Sequence, residues 1–253
     1  MPSRSDHHLS DYHLGPDPRS DPTCYPGDRL SFDYLLQGDR VLPLHAGADG
    51  WPTGRGERSP VVAFGSNAAP AQLAAKFGRS TAGRAAIAVT RARLHGFSLA
   101  HSPHVSIPGY VPWVLVDAPG AMVDCAVLWL DGPQRARLDV TEPNYDLVPV
   151  DAVRYPLVVE ALDTPIEAMI GYAAYRGRWG ALCWPGEPGP APAGTQSELF
   201  DRLGALGWFR DLVGEGPLTA RQARLARDPA LRHRVRDELT ACGMVASDGW
   251  RAD

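Results

Sequence analysis

Short apolar runs alternate with polar turns between residues 59 and 182, a pattern that predicts strands. Two stretches with helical spacing, residues 70–77 and 132–139, lie between these runs. A doubly wound parallel sheet would need a crossover helix after nearly every strand. The pattern therefore predicts an α+β fold, a small mixed β-barrel or sheet with short helices. The predicted strands are PVVAF (60–64), VPWVLV (111–116), MVDCAVLWL (122–130), YPLVVEAL (155–162) and AMIGYAAY (168–175).

The segments on either side of this core have a different composition. Residues 1–58 are rich in Pro, Gly, Asp and His, and they predict an arm whose first twenty-odd residues are disordered. Within the arm, residues 30–44 place a Gln-Gly-Asp turn between two apolar segments and predict a hairpin. Residues 183–253 predict a Pro/Gly linker followed by a helical C-terminal extension.

Composition and charge argue against several classes of protein. The chain has 253 residues, 44% of them hydrophobic, but no run near the ~18 apolar residues that a membrane span needs. The net charge is −4 and the basic residues are spread out, so neither a nucleic acid nor a membrane is an expected partner. Lys76 is the only lysine, which we attribute to a composition that favours Arg, Ala, Gly and Pro.

The cysteines and the N-terminal sequence point to the cytoplasm. The first residues carry charges with no apolar segment behind them, unlike a secretory signal. The four cysteines lack the spacing of a zinc site or a disulfide framework, so we expect reduced thiols and no metal. The sequence leaves the oligomeric state open.

The stretch VVAFGSNAAPAQLAAKF, residues 61–77, predicts a strand, a tight loop and a helix that begins near Pro70. The loop, Phe64 to Asn67, fits no Walker A motif, because the second glycine and the Lys-Thr pair are absent. It fits no nucleophile elbow either, because Phe64 and Ala68 stand where glycines would have to flank Ser66. Small residues here would instead let backbone N–H groups meet a carboxylate or carbonyl oxygen. The simpler alternative is that Ser66 or Asn67 only caps the helix.

Glu142 is the second candidate, in the stretch LDVTEPNYDLVPV, residues 138–150. It follows a short helix, and Pro143 stops that helix before an extended run that begins at Tyr145. A carboxylate desolvated at such a junction would have its pKa raised toward neutrality, as a general acid/base requires. The alternative is a solvated surface glutamate.

Together the two stretches resemble the γ-glutamyl cyclotransferase-like family. The matching residues are Phe64, Gly65, Ser66 and Asn67 with Pro70 and Leu73, followed by Leu138 and Asp139 with Glu142 and Tyr145. Residues 91–102 and 116–130, with a Pro-Gly turn at 119–120, are similar to the intervening strands. Three positions depart from the family pattern: Phe64 replaces a tyrosine, Pro143 replaces a glycine, and Cys125 replaces a strand glycine.

The resemblance implies an enzyme that converts a γ-glutamyl amide into 5-oxoproline and an amine without metal or cofactor. Glu142 would move the proton, and the N–H groups of Gly65, Ser66 and Asn67 would stabilise the oxyanion. Phe64 would belong to the substrate site, and Tyr145 would line it or bond the substrate carboxylate. Two alternatives stay open. One is a binding module of the same fold that recognises a carboxylate or amide, and the other is an amidohydrolase or acyltransferase in which Glu142 activates water or an external amine.

Overall fold

A computed structural model describes residues 12–45, 58–78, 86–160, 164–165 and 171–250. Nine strands form one mixed sheet, with the order β2-β1-β4-β5-β3-β9-β6 and with β7 and β8 branching from β4. Only β3 and β9 pair in parallel; the other ladders are antiparallel. The strands are β1 (Tyr34–Gln37), β2 (Arg40–Pro43), β3 (Ser59–Ala63), β4 (Ile87–His101), β5 (Trp113–Leu130), β6 (Tyr145–Val150), β7 (Leu157–Val159), β8 (Thr164–Pro165) and β9 (Tyr172–Gly177).

The predicted α+β class is confirmed, and within the described residues the sheet does not close into a barrel. Two helices belong to the core, α1 (Pro70–Phe77) and α2 (Gly132–Val140). Four more follow in the C-terminal part: α3 (Gln196–Gly204), α4 (Gly207–Val213), α5 (Leu218–Arg227) and α6 (Pro229–Ala241). A separate two-stranded sheet joins β10 (Ala181–Leu182) to β11 (Val245–Ala246). No helix in the described part of the chain is long and apolar enough to cross a membrane.

The two helices that flank the candidate site start with clear local signals. Ala69 is extended, as a residue before proline prefers, and Pro70 opens α1. Asp131 accepts from the backbone N–H of Gln134, whose side chain in turn accepts from Asp131 N, so a reciprocal capping box starts α2.

Strand β5 corrects the expectation of two strands divided by a Pro-Gly turn. It is one long strand paired with β4 along its whole length, and the ladder passes from the pair His95–Met122 to the pair Phe97–Asp117. Residues 118–121 are therefore extra residues of β5 that have only Gly96 opposite them on β4, and Gly96 has a φ of 80°. The Pro-Gly pair bulges the strand instead of ending it.

Alternate residues of β3 and β5 pack into different cores, as the two faces of a strand require. Val62 and Val127 belong to one cluster, while Val61 and Leu128 belong to the other. The C-terminal helices pack around Phe200 and Phe209 in a third cluster, which also takes in Val105 and Val111 from the connection between β4 and β5.

The N-terminal arm is more ordered than its composition indicated. β1 and β2 form a hairpin across Gly38 and Asp39, and residues 1–11 lie outside the described residues. Residues 12–25, part of which we expected to be disordered, lie against the core. Leu14 packs on the second cluster, and Tyr25 is only 5% exposed, with its hydroxyl accepting from Trp113 N at 2.8 Å. The segment can stay ordered with few apolar residues because hydrogen bonds and the stacking of Tyr25 on Tyr110 hold it against the core.

We expect removal of residues 1–22 to lower the melting temperature by several degrees, at about 2–4 °C for each kcal/mol of lost stability. The deletion removes the packing of Leu14 and the bond from Gln222 Nε2 to Pro22 O, 3.2 Å long. Removal of residues 1–11 alone is the control, because it spares these contacts. Equal melting temperatures for the full chain and both truncations, measured by differential scanning calorimetry, would contradict the packing of the arm.

Candidate functional site

A cavity of about 1120 Å³ opens where β3 ends and α2 joins β6. Its walls come from three parts of the chain: the sheet core, the N-terminal arm and helix α5. The core contributes Phe64, Gly65, Ser66, Asn67, Gln72, Lys76, His104, Tyr110, Trp113, Arg137, Glu142 and Tyr145, the arm contributes Asp17, Arg19 and Tyr25, and α5 contributes Thr219, Ala223 and Ala226. All six predicted site residues therefore line one cavity. A second cavity of about 230 Å³ adjoins it and shares His104, Ile107, Pro143 and Asn144.

The loop after β3 makes a single 3-10 turn, Ser66–Ala68, before α1 begins. No side chain caps this turn or α1, so the alternative that Ser66 or Asn67 serves as a helix cap is wrong. The carbonyls of Gly65 and Ser66 accept bonds from Ala68 N and Ala69 N. The N–H groups of residues 65–67 donate to no acceptor within the described residues, which leaves them available to a ligand.

Two residues of the arm, Arg29 and Tyr25, fix the start of this loop, and no motif in the sequence marks either of them. The Arg29 guanidinium donates to Phe64 O and, at 2.7 Å, to Asp124 O. The Tyr25 hydroxyl lies so close to Gly65 that a Cβ added there would be 2.7 Å from it. A side chain at position 65 is thus excluded by the arm, while the backbone angles of Gly65 (φ −104°, ψ −142°) lie outside the left-handed region.

Glu142 stands directly after α2, where Thr141 and Glu142 donate their N–H groups back to the last turn of the helix. Its side chain is 16% exposed and faces the cavity, in contrast to the alternative of a solvated surface glutamate. Asn67 Nδ2 donates to Glu142 Oε1 at 3.0 Å. This bond joins two motifs that lie 75 residues apart in the sequence.

Lys76 completes the group and was missed by sequence reasoning. It lies in the last turn of α1, is 4% exposed, and its ammonium contacts Glu142 Oε1 and donates to Asn67 Oδ1 at 2.7 Å. An ammonium only donates, so this contact sets the amide of Asn67 with its oxygen toward Lys76 and its nitrogen toward Glu142. The available signal was Gln72 and Lys76, two polar residues one helical turn apart on the same face as Leu73.

Burial dominates the electrostatics of the cavity wall. It lowers the pKa of Lys76, and the neighbouring Glu142 carboxylate opposes that shift. Burial also raises the pKa of Tyr110 to about 12 and that of Tyr145 well above its usual value, so both phenols are neutral hydrogen-bonding groups. Burial, with a smaller effect of Arg236, lowers the pKa of His104 to about 3, which keeps that ring uncharged.

Two buried polar atoms in the wall lack a partner within the described residues, Gln72 Oε1 and Trp113 Nε1. One is an acceptor and the other a donor, and buried groups of this kind are usually satisfied. Tyr145 already uses its hydroxyl to donate to Trp113 O at 3.0 Å, so it contributes mainly a ring to the wall.

The described residues contain no cluster of three or more His, Cys, Asp or Glu side chains arranged to hold a metal ion. Around Glu142 the cavity wall instead offers that carboxylate, the ammonium of Lys76, the amide of Asn67 and free backbone donors. Such a set can move protons and stabilise a developing oxyanion.

No family model and no curated protein matches the sequence. Among solved structures, the chain is similar to one described as a γ-glutamyl cyclotransferase, at 12% identity and a TM-score of 0.38 over 78% of this chain and 92% of that one. It is also similar to a protein from Arabidopsis thaliana (18% identity, TM-score 0.37, 64% of this chain and 93% of that one). An uncharacterised protein from Homo sapiens gives 14% identity and a TM-score of 0.36 over 78% of this chain and 94% of that one. These TM-scores are too low to establish a common fold.

Proposed function

We propose that this protein is a γ-glutamyl cyclotransferase-type enzyme, which cyclises a γ-glutamyl amide to 5-oxoproline and releases the amine. The observation that carries the proposal is the bond between Asn67 and Glu142, which brings a carboxylate to the mouth of a loop with free N–H groups. A proton carrier and oxyanion donors within one cavity are what this reaction needs.

The reaction joins the α-nitrogen of the substrate to its own γ-carbonyl carbon. The α-ammonium first gives a proton to Glu142, and the freed amine then attacks the carbonyl to form a tetrahedral oxyanion. The N–H groups of Gly65, Ser66 and Asn67 are the proposed donors to that oxygen. The cavity contributes by holding the substrate folded, since a bound near-attack geometry supplies much of the rate.

Collapse of the oxyanion breaks the bond between the γ-carbon and the leaving nitrogen. Two protons leave the attacking nitrogen over the whole reaction, and the leaving nitrogen gains two to depart as an ammonium. Glu142 carries protons between the two nitrogens, acting first as base and then as acid. The balance requires no water, oxidant, metal or cofactor.

The arm and α5 have a proposed role in choosing the leaving amine. They close the side of the cavity opposite the core, and the second cavity extends it past His104 and Asn144. This space favours a γ-glutamyl compound whose amine is larger than a single amino acid.

Product identity tests the proposal against its alternatives. We expect 5-oxoproline from a panel of γ-glutamyl amides, with no oxygen from ¹⁸O-labelled water in the product, measured by mass spectrometry. An amidohydrolase would release labelled glutamate, and a binding module would give saturable binding without either product.

Substrates with an acetylated α-amine are the matched control. Their nitrogen is a poor nucleophile, so a cyclotransferase would leave them intact, whereas a hydrolase could still cleave the γ-amide. Release of amine from the acetylated substrates at the rate of the free ones would contradict cyclisation.

A further inference from the structure

Among the described residues, Lys76 is the one charged group in direct contact with Glu142, the proposed proton carrier. It is the only lysine of the chain, and 4% exposure places its ammonium in the wall rather than at the surface. Burying an ammonium is costly unless a counter-charge is close, and Glu142 supplies that charge. The contact therefore places a positive charge against the carboxyl oxygen that would carry the proton.

The other charged groups near Lys76 have smaller effects on its pKa than burial and Glu142. Arg19 and Asp17, from the arm, oppose each other in their effects on the pKa of Lys76, and both rank below burial and Glu142. From α2, Arg137 uses its Nε to donate to Lys76 O at 3.2 Å. From the strands, Tyr145 and Tyr175 line the cavity, and burial raises the pKa of both phenols, so both are neutral.

An adjacent ammonium has opposite consequences for the two halves of the reaction. Its charge repels a proton carried by Glu142, which opposes the uptake of a proton from the substrate ammonium. The same repulsion favours the transfer of that proton to the leaving nitrogen. The second half of the reaction benefits, because an alkylamine cannot leave a tetrahedral carbon until its nitrogen is protonated.

We propose that Lys76 is a positioning residue for the acid half of the reaction, whose ammonium drives the proton from Glu142 to the leaving nitrogen. The inference rests on the proposed function and deepens it, because it names Lys76 of α1 as the charge that helps the amine to leave. Lys76 touches no reacting atom; it acts through the carboxylate and through the amide of Asn67.

Leaving-group dependence is the readout that a purely structural role would not move. Two γ-glutamyl substrates are compared, an n-butylamide, whose nitrogen must be protonated to leave, and a p-nitroanilide, which leaves far more easily. For Lys76→Met we expect kcat to fall by about 10- to 100-fold on the butylamide and much less on the p-nitroanilide.

Two further variants separate charge from hydrogen bonding. Lys76→Arg keeps the cation and should restore most of the butylamide activity, whereas Lys76→Gln keeps a donor without the charge and should behave like Lys76→Met. Equal losses on both substrates, or rescue by glutamine as good as that by arginine, would overturn the inference. Its failure is distinguishable from failure of the proposed function, in which the unmodified protein would release no 5-oxoproline from any substrate.

Discussion

Replacing Glu142 with glutamine is expected to lower the rate of 5-oxoproline release by about 10²- to 10⁴-fold. Glutamine keeps the size of the side chain and an oxygen that can accept from Asn67 Nδ2, but it cannot take a proton from the substrate ammonium. The KM should change little, because the cavity walls that hold the substrate are untouched. Steady-state kinetics on the best substrate of the panel, with product measured by mass spectrometry, gives both parameters.

The control for Glu142→Gln is Glu238→Gln, the same change at an exposed position of α6. It should leave both kcat and KM unaltered. Glu142→Gln also removes the partner of the buried Lys76 ammonium, so we expect this variant to lose about 1–3 kcal/mol in the free energy of unfolding. The folded fraction is therefore measured beside the rate. Near wild-type turnover by folded Glu142→Gln would remove Glu142 from the reaction.

Replacing Gly65 with alanine is expected to reduce activity by about 10²-fold, the loss that a displacement near 1 Å can cause in a catalytic group. The new Cβ would lie 2.7 Å from the Tyr25 hydroxyl, which cannot easily withdraw. The ring of Tyr25 stacks on Tyr110 at a centroid distance of 4.3 Å, and its hydroxyl accepts from Trp113 N. The loop must move instead, and its N–H groups move with it.

A double-mutant cycle with Tyr25→Phe tests this cause. Without the hydroxyl, the next ring atom, Cζ, is 3.7 Å from the added Cβ, an ordinary contact. Gly65→Ala should therefore cost much less activity in the Tyr25→Phe background than alone, giving a coupling energy of about 1–2 kcal/mol. Additive losses would show that position 65 needs glycine for a reason other than the contact with Tyr25.

The local features of the fold could be predicted where a few neighbouring residues decide them. Pro70 after an extended residue starts α1, and Pro143 prevents α2 from continuing past Glu142. The Pro-Gly pair at 119–120 was misinterpreted as a turn, because whether such a pair ends a strand or bulges it depends on the partner strand. Here β4 continues past it on the other side of the ladder.

The candidate site could be predicted only in part, for a related reason. Asn67 and Glu142 stand in recognisable local motifs. The role of Lys76 could not be predicted, because it depends on a contact with Glu142, which lies 66 residues away in the sequence. A single lysine in an arginine-rich chain looks like compositional bias until its ammonium is seen to be buried. Tyr25 lies in a polar arm with no periodic pattern, so only tertiary packing could bring its hydroxyl to Gly65.

The construction of the cavity from three separate stretches of chain has a thermodynamic consequence. Gln222 on α5 reaches Pro22 in the arm, so the segments before and after the core touch across the opening. A molecule held between them would be enclosed by parts of the chain that separate when the arm detaches. Detachment and ligand release are then linked equilibria: the ligand stabilises the docked arm by as much as docking strengthens binding. Binding of a ligand in the cavity should therefore increase the amide hydrogen-exchange protection of residues 17–25, although they lie far from Glu142 in the sequence.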